Sequence, residues 1–501
     1  MALSTMVPLL LATPFAARLL PLTWKLLPLI RELGQLVLTY QAGPVTPTAT
    51  YQFEVDLQRV LRALGRVIFE WVVNHLEPAE PTEAPPLAWF DHDLYRRRAH
   101  SCRRHGIATL FGVITLWRLR YEPCDVGLGL KCLFPLEQRL GLVAGKATPA
   151  LASRLGVWTA QHTQETVRSL LREEHHVCWS VETLRKVVAE LSTQLAPFRH
   201  AACVVQVLDW LEQARQQPGP YPVTLSVGRD GIFVPLCHDS KYREAATATL
   251  AVLGPHGRRL GTIYLGHMPE SGQGTLSAQL TDLLLEVLAL WQGPLPRLQY
   301  VTDAGDNQTA YFEQVLRPMV HPRTGAALRW HWVVDFYHAC AYITKMAGAL
   351  FGPESRAALA WAAKMRRWLR DKRHGIFRVL HSAAALASRH VWQGEDQKTF
   401  AAAYAYLRKR MQFMDYSRYR RLGMAIGSGI TEAACKTLFT QRFKQSGMKW
   451  SWEGGQRVVE LRTLWLSGLW DKVYATFLDQ CPQADMGTTW EIPAEESKMA
   501  A

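Results

Sequence analysis

The pattern of short apolar runs between residues 222 and 336 constrains the fold of this chain more than any other feature. Three β-rich runs come first, separated by Gly, Pro and His turns: TLSVGRDGIFVPL, TATLAVLG and RRLGTIYLG. Such runs predict a three-stranded antiparallel meander. A helix over 276–291, the strand RLQYVTD, a helix around 309–320 and the strand RWHWVVDF are expected to follow.

This order predicts an α/β fold with a mixed sheet and helices packed on it, because a meander is followed by strands that alternate with helices. It is the order of a ribonuclease-H-like fold. After Tyr337 the chain becomes helical and basic, with Arg and Lys crowded into AKMRRWLRDKRHG, YLRKRM and YSRYRRLG. A further helix is expected after GSGI, carrying TEAACKTLFTQRFKQ.

The part of the chain before this core is predicted to be mainly helical. Residues 51–77 have helical periodicity, and the Pro-rich EPAEPTEAPP after them indicates a linker, because proline cannot continue a helix. A basic cluster at 96–104 precedes a strand expected over 109–121. Residues 147–192 look like several short helices, one of them capped by Ser180. These helices are compatible with a DNA-binding helix-turn-helix or with an ordinary helical bundle.

Charge and cysteine usage narrow the class of protein. The formal net charge of +14 means that the folded surface should attract a polyanion, such as nucleic acid or anionic lipid. The nine Cys are scattered and odd in number, which indicates reduced thiols in a cytoplasmic protein. Residues 1–17 are uncharged, but Pro8 and Pro14 interrupt them and Arg18 follows too soon for a span of about 20 apolar residues. We therefore expect no membrane segment.

One group of residues raises the question of a structural zinc site. The group is His100, Cys102, His105, Cys124 and Cys132. A strand between its halves could bring them together, but the spacing is irregular and no CxxC occurs. The sequence leaves this site open.

Three carboxylates stand where a metal-dependent reaction on phosphodiesters would need them. Such a reaction requires an activated nucleophile and stabilisation of charge on the phosphate, and two Mg²⁺ ions held about 4 Å apart by carboxylates supply both. Asp230 is expected at the end of the first strand and Asp303 at the end of the fourth, which is its neighbour in a ribonuclease-H-like sheet. Glu432, in the first turn of the late helix, could be carried to the same pair.

Each carboxylate also has an ordinary structural explanation. The Asp-Gly at Asp230 is a common hairpin signal, Asp303 could cap a loop, and Glu432 suits the first turn of a helix. Their joint occurrence at the ends of the appropriate elements in a basic protein favours the catalytic interpretation. Asp306 and Glu453 remain alternatives for the second and third carboxylates.

Further residues could contact the phosphate or the DNA backbone. His338 follows the fifth strand, where it can face the site, with Asp335 as a helix cap or orienter; a structural His is the alternative. Basic residues after Glu432 suit phosphate contacts, although a merely solvated basic face would look the same. These are Lys436, Arg442, Lys444 and Lys449.

Four passages of the sequence resemble those of a known group of proteins. The passages VGRDGIFV, QYVTDAG, WVVDFYHA and GSGITEAACKTLFTQRFKQSGMKWSWEGGQRVVELR look like the catalytic segments of bacterial insertion-sequence transposases of the ISKra type. The resemblance covers roughly residues 50–475 and includes FPLEQRLGL and TPALASRLG; its most specific part is the C-terminal passage. The DFYH at 335–338 is similar to the Asp/Cys-x-x-His motif of a wider group that includes Mutator-like transposases.

The resemblance implies a DDE triad of Asp230, Asp303 and Glu432 in a ribonuclease-H-like domain, with an all-helical insertion before the glutamate. It implies two Mg²⁺ ions as cofactors, with Mn²⁺ able to replace them. The implied partners are double-stranded DNA, as terminal inverted repeats and target, and a second copy of the chain in a dimer or higher oligomer. The implied location is the bacterial cytoplasm, in association with the nucleoid.

The expected organisation has seven regions. They are an apolar helical segment, a helix with linker and basic strand-containing module, a helix-turn-helix-like DNA-binding region, the first part of the catalytic core, the helical insertion, the C-terminal helices of the core and a flexible tail. The corresponding ranges are 1–50, 51–145, 146–220, 221–340, 341–426, 427–475 and 476–501.

Two other functions compete with that of a transposase. One is a transposase-derived, sequence-specific DNA-binding protein that no longer cuts, against which the presence of all three carboxylates argues. The other is a ribonuclease-H-like nuclease that acts without strand transfer. A transposase gene should lie between short inverted repeats flanked by a target duplication, and a housekeeping nuclease gene should not.

Overall fold

The computed structural model describes residues 14–125, 129–392, 394–482 and 484–485. The chain divides into two compact units, one formed by residues 1–194 with 474–501 and the other by 195–473. In the described part of the chain, no helix combines the length and the apolar character needed to cross a membrane.

The first unit begins with two long helices, α1 (Pro14–Ala42) and α2 (Pro47–Asn74). Thr46 caps α2 by accepting a hydrogen bond from a backbone N–H of its first turn. The rings of Tyr40 and Phe53 stack with centroids 4.4 Å apart, so the two helices pack against each other near their connection. The helix predicted over 51–77 therefore exists, although it begins and ends a few residues earlier.

Five short strands follow in this unit. Three of them, β1 (Leu87–Phe90), β2 (Asp93–Arg97) and β5 (Tyr121–Pro123), form an antiparallel sheet in the order β1-β2-β5. The other two, β3 (Cys102–Thr109) and β4 (Gly112–Arg118), form a separate hairpin. The prediction of one strand over 109–121 is therefore wrong in extent, since this range contains the end of β3, all of β4 and the first residue of β5.

The basic residues of β3 obscured its strand pattern. Arg103 lies over the ring of Trp117 on β4, with its guanidinium carbon 4.0 Å from the ring centroid. A cation–π contact of this kind lets a charged side chain occupy a strand position that would otherwise suit an apolar residue. Sequence alternation alone therefore did not reveal β3.

Four helices complete this region: α3 (Pro135–Arg139), α4 (Pro149–Gln161), α5 (Gln164–His175) and α6 (Val181–Arg215). The first three are short, as expected. Helix α6 has 35 residues and continues past Pro197, so the expectation of short helices up to residue 192 is wrong for this one. Its apolar face persists through residues such as Leu195, Val207 and Leu211, all buried, which explains why the helix does not end earlier.

The second unit contains a five-stranded mixed sheet. Its strands are β6 (Thr224–Val234), β7 (Arg243–Leu253), β8 (Arg259–His267), β9 (Arg297–Thr302) and β10 (Trp330–Val334). They lie in the order β10-β9-β6-β7-β8. The first three form the antiparallel meander predicted from the sequence, and β9 and β10 add to it in parallel. The described unit is thus a mixed α/β structure.

Helices connect and cover the sheet. Helix α7 (Gly274–Leu290) joins β8 to β9, and α8 (Asp306–Tyr311) continues through a π-helical turn before β10. Between β10 and the late helix lie five helices. These are α9 (Phe336–Phe351), α10 (Arg356–Asp371), α11 (Gly375–Ala387), α12 (Asp396–Arg410) and α13 (Tyr416–Arg421).

The late helix is α14 (Gly429–Cys435), followed by a π-helical turn over Lys436–Thr440 and the short α15 (Gln441–Phe443). Helix α16 (Trp452–Leu466) comes next. These elements share a core with the sheet, since Leu438, Phe439 and Phe443 pack with Val234 of β6 and Ala245 of β7.

The last helix is α17 (Trp470–Asp479). The flexible tail predicted from residue 476 therefore starts too early, because buried Phe477 anchors the end of this helix. Most of the predicted tail, and residues 1–13 of the predicted N-terminal segment, lie outside the described residues.

Candidate active site

Asp230 lies inside a strand rather than at its end. Strand β6 continues to Val234, and Asp230 is paired with Thr247 of β7. The expectation that Asp230 ends the first strand is therefore wrong, and so is the alternative that its Asp-Gly forms a hairpin turn. The antiparallel pairing with β7 carries the strand past the point where its parallel pairing with β9 stops, at Gly228 and Val301.

That register sets the relation between the first two carboxylates. Gly228 is opposite Val301, so Asp230 and Asp303, each two residues further on, come to the same level of the sheet. Asp303 follows directly after β9, and its Oδ1 accepts a hydrogen bond of 3.1 Å from the backbone N–H of Gly305. The sheet thus brings together two residues that are far apart in the sequence.

Glu432 is carried to this region by helix α14, as expected from the sequence, and lies exposed in its first turn. The helix sits very close to the sheet, because a Cβ at position 228 would overlap the hydroxyl of Thr431. The Thr431 hydroxyl is also 2.8 Å from that of Thr249 on β7. Glycine at position 228 therefore allows the approach that places Glu432 near the strand.

The charges of Asp303 and Glu432 act on Asp230. The pKa of Asp230 is raised from its usual value of 3.8 to about 6, chiefly by burial and next by the negative charge of Asp303, with a smaller effect from Glu432. A hydrogen bond from the backbone of Gly231 and one from the thiol of Cys435, 3.4 Å from Oδ2, oppose the shift. Like charges are thus held together in a partly dehydrated place.

Cys435 and Glu244 extend the site beyond the residues predicted. The Cys435 thiol is buried, and burial together with the charge of Asp230 raises its pKa. Glu244, on β7 opposite Phe233, approaches the backbone of Gly231, and its pKa is raised by burial and by the charge of Asp303. Neither contact could be predicted from the sequence, because Glu244 reaches the site through the register of β7 with β6 and Cys435 through the packing of α14.

Asp335 and His338 occupy the start of helix α9. Asp335 is fully buried and caps the helix, because its Oδ1 accepts a 2.6 Å hydrogen bond from the backbone N–H of His338. The role of helix cap predicted for Asp335 is therefore confirmed. The half-buried ring of His338 makes edge contacts with Tyr342 and Tyr406, at centroid distances of 5.3 and 5.7 Å.

Ser428 links this cap to the third carboxylate. Its hydroxyl lies 2.8 Å from Oδ2 of Asp335 and 2.9 Å from Oε1 of Glu432, so its single proton has two carboxylate acceptors. The backbone N–H of Ser428 also donates to Asp335. The sequence indicates GSGI as the start of a helix and as part of the passage that resembles a transposase, but the contact of Ser428 with Asp335 depends on the fold.

The alternative carboxylates are placed differently. Asp306 is exposed as the first residue of α8, and Glu453 is exposed 4.0 Å from Arg457. The charges that act on Asp230 are those of Asp303 and Glu432. Asp303, Glu432 and their alternatives thus differ in whether their charge is seen to act on Asp230.

The predicted DNA-contacting residues fall into two groups. Lys436, Lys444 and Lys449 are exposed. Arg442 is 1% exposed and lies over the ring of Trp450, and burial lowers its pKa to about 10. We therefore correct its expected role, because a side chain packed in this way supports the C-terminal core and cannot reach a phosphate from that position.

No ready-made metal cage is present among the described residues. Within them, no three or more His, Cys, Asp or Glu side chains are arranged so that they could hold a metal ion. This holds for the five candidate zinc ligands, and also for Asp230, Asp303 and Glu432 as a complete set. Asp303 and Glu432 affect the pKa of Asp230, but the three carboxylates do not form a closed ligand shell.

No family model matches this chain, and no curated protein shows significant similarity to it.

Proposed function

We propose that this chain is a DDE-class DNA transposase that binds the terminal inverted repeats of an insertion sequence and cuts and joins DNA with Asp230, Asp303 and Glu432. One observation carries the proposal. Burial and the charges of Asp303 and Glu432, which come from two distant segments of the chain, raise the pKa of Asp230 to about 6. Holding like charges together costs stability, and such perturbed groups are concentrated at functional sites.

The order of the strands supports a ribonuclease-H-like core for the proposed enzyme. The sheet has the order β10-β9-β6-β7-β8, with β7 antiparallel to both of its neighbours and β9 and β10 parallel to β6. The mixed α/β sheet is the part of the expected fold that the structure shows, and the strand order supports the finer proposal. The five helices between β10 and α14 stand where the resemblance implies an all-helical insertion.

The donor chemistry of the site fits magnesium. Mg²⁺ prefers carboxylate oxygens, keeps several of its waters and is commonly bound through one or two carboxylates. Asp230 and Asp303 offer such a pair, and their mutual repulsion is what a divalent cation would relieve. Because no closed cage exists among the described residues, we expect binding to draw Glu432 inward to complete the site.

Each group then has a role in the proposed reaction. Magnesium held there would supply activation of a water or a DNA 3′-hydroxyl as nucleophile and stabilisation of charge on the phosphate. Asp230, Asp303 and Glu432 would hold the ions, and Asp335 orients Ser428 toward Glu432. His338 would contact the scissile phosphate.

DNA would be held by exposed basic residues of the same unit, among them Lys436, Lys444 and Lys449. Backbone contacts of this kind position the duplex, and base contacts made by the helical N-terminal region would recognise the element's ends. We further propose that the protein acts as a dimer or higher oligomer on paired ends in the bacterial cytoplasm.

Cleavage of a labelled duplex carrying the element's end tests the proposal. The wild type should cut it with Mg²⁺ or Mn²⁺, and Asp230→Ala, Asp303→Ala and Glu432→Ala should each bind it without cutting. Asp306→Ala and Glu453→Ala serve as matched controls and should cut. If the wild type binds the ends specifically but never cuts, the protein is a DNA-binding derivative of a transposase.

A further inference from the structure

We propose that Tyr406 and Arg410, on helix α12, are positioning residues that hold the Asp303 turn in the conformation required for metal binding. The metal-binding part of this inference rests on the proposed function. The contacts that carry it do not depend on that function, and they link the helical segment between β10 and α14 to the second candidate carboxylate.

The turn after β9 has a conformation that needs support. Ala304 has a φ of 57°, in the left-handed region that residues other than glycine rarely adopt. Its side chain is fully buried. Such a conformation persists only when the surrounding structure holds it, and it is often found at functional sites. Here the residue concerned directly follows Asp303.

The support comes from two side chains that hold consecutive carbonyl groups. The hydroxyl of Tyr406 donates a 2.5 Å hydrogen bond to the carbonyl oxygen of Asp303. The guanidinium of Arg410 donates two to the carbonyl oxygen of Ala304, from Nε at 3.1 Å and from Nη2 at 2.7 Å. These carbonyls belong to the peptide groups on either side of Ala304, so fixing both fixes its backbone angles.

Packing holds the two donors in place. Tyr406 and Arg410 are four residues apart on one helical face, and the Arg410 guanidinium carbon lies 4.2 Å from the centroid of the Tyr406 ring. The Tyr406 ring also stacks on Tyr342 of α9, with centroids 3.8 Å apart and planes inclined by 8°. Leu407 of the same helix is fully buried. The donors are therefore rigid, and not free surface groups.

The consequence is a dependence of the site on the helical segment. The donors lie more than one hundred residues after the turn in the sequence, and the bond from Tyr406 spans 103 positions. The β6–β9 register sets the level of Asp303, and α12 holds the turn that follows it. The helical segment would then complete the active site.

The test uses the full chain with Tyr406→Phe, which keeps the stacked ring but removes the donor, and with Arg410→Gln. Tyr404→Phe and Lys409→Gln, on the same helix, are the matched controls. Mn²⁺ affinity is measured by electron paramagnetic resonance, hydrogen exchange is followed in the peptide that covers residues 301–311, and cleavage is measured at saturating Mn²⁺.

We expect Tyr406→Phe and Arg410→Gln to weaken Mn²⁺ binding roughly 10-fold, as loss of an outer-shell partner commonly does, and to speed exchange in the 301–311 peptide. The affinity of these variants for DNA should stay within about twofold of the wild type, and the control variants should behave as the wild type. Arg410→Lys should recover part of the Mn²⁺ affinity that Arg410→Gln loses, because it restores a donor. If the two residues had a merely structural role, the substitutions would lower the melting temperature and leave the Mn²⁺ affinity of the folded protein unchanged.

The outcomes separate the two proposals. If the wild type binds Mn²⁺ and cuts DNA while Tyr406→Phe and Arg410→Gln match it in affinity and exchange, the positioning role is overturned and the proposed function stands. If the wild type neither binds Mn²⁺ nor cuts, the proposed function and the metal-binding part of the inference fail. Exchange in the 301–311 peptide then decides whether the two residues hold the turn.

Discussion

Asp230 shows how a single residue can oppose the stability of the fold it belongs to. Burial and the charges of Asp303 and Glu432 raise its pKa from 3.8 to about 6. Its proton is therefore bound more tightly in the folded than in the unfolded chain. The stabilisation from this proton is fully present below about pH 4 and is lost as the pH rises through about 6. A shift of this size corresponds to roughly 3 kcal/mol at most.

Replacement of Asp230 by Asn should reveal how much stability the folded protein loses when this carboxyl group is ionised. In the absence of divalent metal, we expect Asp230→Asn to raise the free energy of unfolding by about 1–3 kcal/mol at pH 8 and to change it little near pH 4, since the wild-type side chain is then protonated. Urea unfolding at the two pH values measures the difference. Asp282→Asn, at an exposed position of α7, should show no such pH dependence. A less stable Asp230→Asn protein at pH 8 would contradict the assignment.

At the scale of elements, the approach of helix α14 to strands β6 and β7 decides where Glu432 lies. Thr431, buried and hydrogen-bonded to Thr249, fills the space left by the missing side chain of Gly228. The contact is steric, so it has little tolerance for added volume.

Gly228→Ala should therefore displace α14. We expect a loss of about 1–3 kcal/mol in the free energy of unfolding, as for other overpacked cores, together with loss of metal-dependent cleavage. Gly429→Ala is the control, because it lies on the helix itself and its added methyl group meets open space. Denaturant unfolding and cleavage assays measure the two effects. A stable, fully active Gly228→Ala protein would show that the close contact is not needed.

At the scale of the whole molecule, burial decides which of the cationic side chains could contact DNA in the proposed function. The chain has a net charge of +14, yet not every arginine and lysine is available at the surface. Arg442 and Arg462 are buried, and burial lowers the pKa of each to about 10. Arg462 donates to the carbonyl oxygen of Thr437 and so supports the π-helical turn after α14.

DNA binding should accordingly depend steeply on salt, through the exposed cations. Lys444→Gln and Lys449→Gln should each weaken DNA binding and reduce the slope of log affinity against log salt by roughly one contact, without changing stability. Arg442→Gln should instead destabilise the protein, because it removes the packing over Trp450. Fluorescence anisotropy at several salt concentrations and thermal unfolding distinguish the two kinds of residue. An unchanged salt slope in both lysine variants would show that DNA does not contact these two side chains.

Much of the sheet could be predicted from the sequence, because strand and helix patterns are local. The meander, the two later strands and the helix that carries Glu432 all follow from residue periodicity and turn residues. Strand β3 could not be predicted, because consecutive basic residues, Arg103, Arg104 and His105, hide the alternation of polar and apolar positions. Helix α6 extends beyond the predicted limit of 192 because its buried face continues past Pro197.

The sequence by itself determined the carboxylates, the elements that carry them and the excess of positive charge, since each depends on residue type and short-range order. Only the tertiary structure decided that Asp230 lies within a strand and is level with Asp303, because register is set by pairing between distant segments. It also decided that Arg442 is buried and that Tyr406 and Arg410 hold the turn at Ala304. The physical reason is that burial and long-range hydrogen bonds belong to the packed arrangement of elements and leave no periodic trace in the sequence.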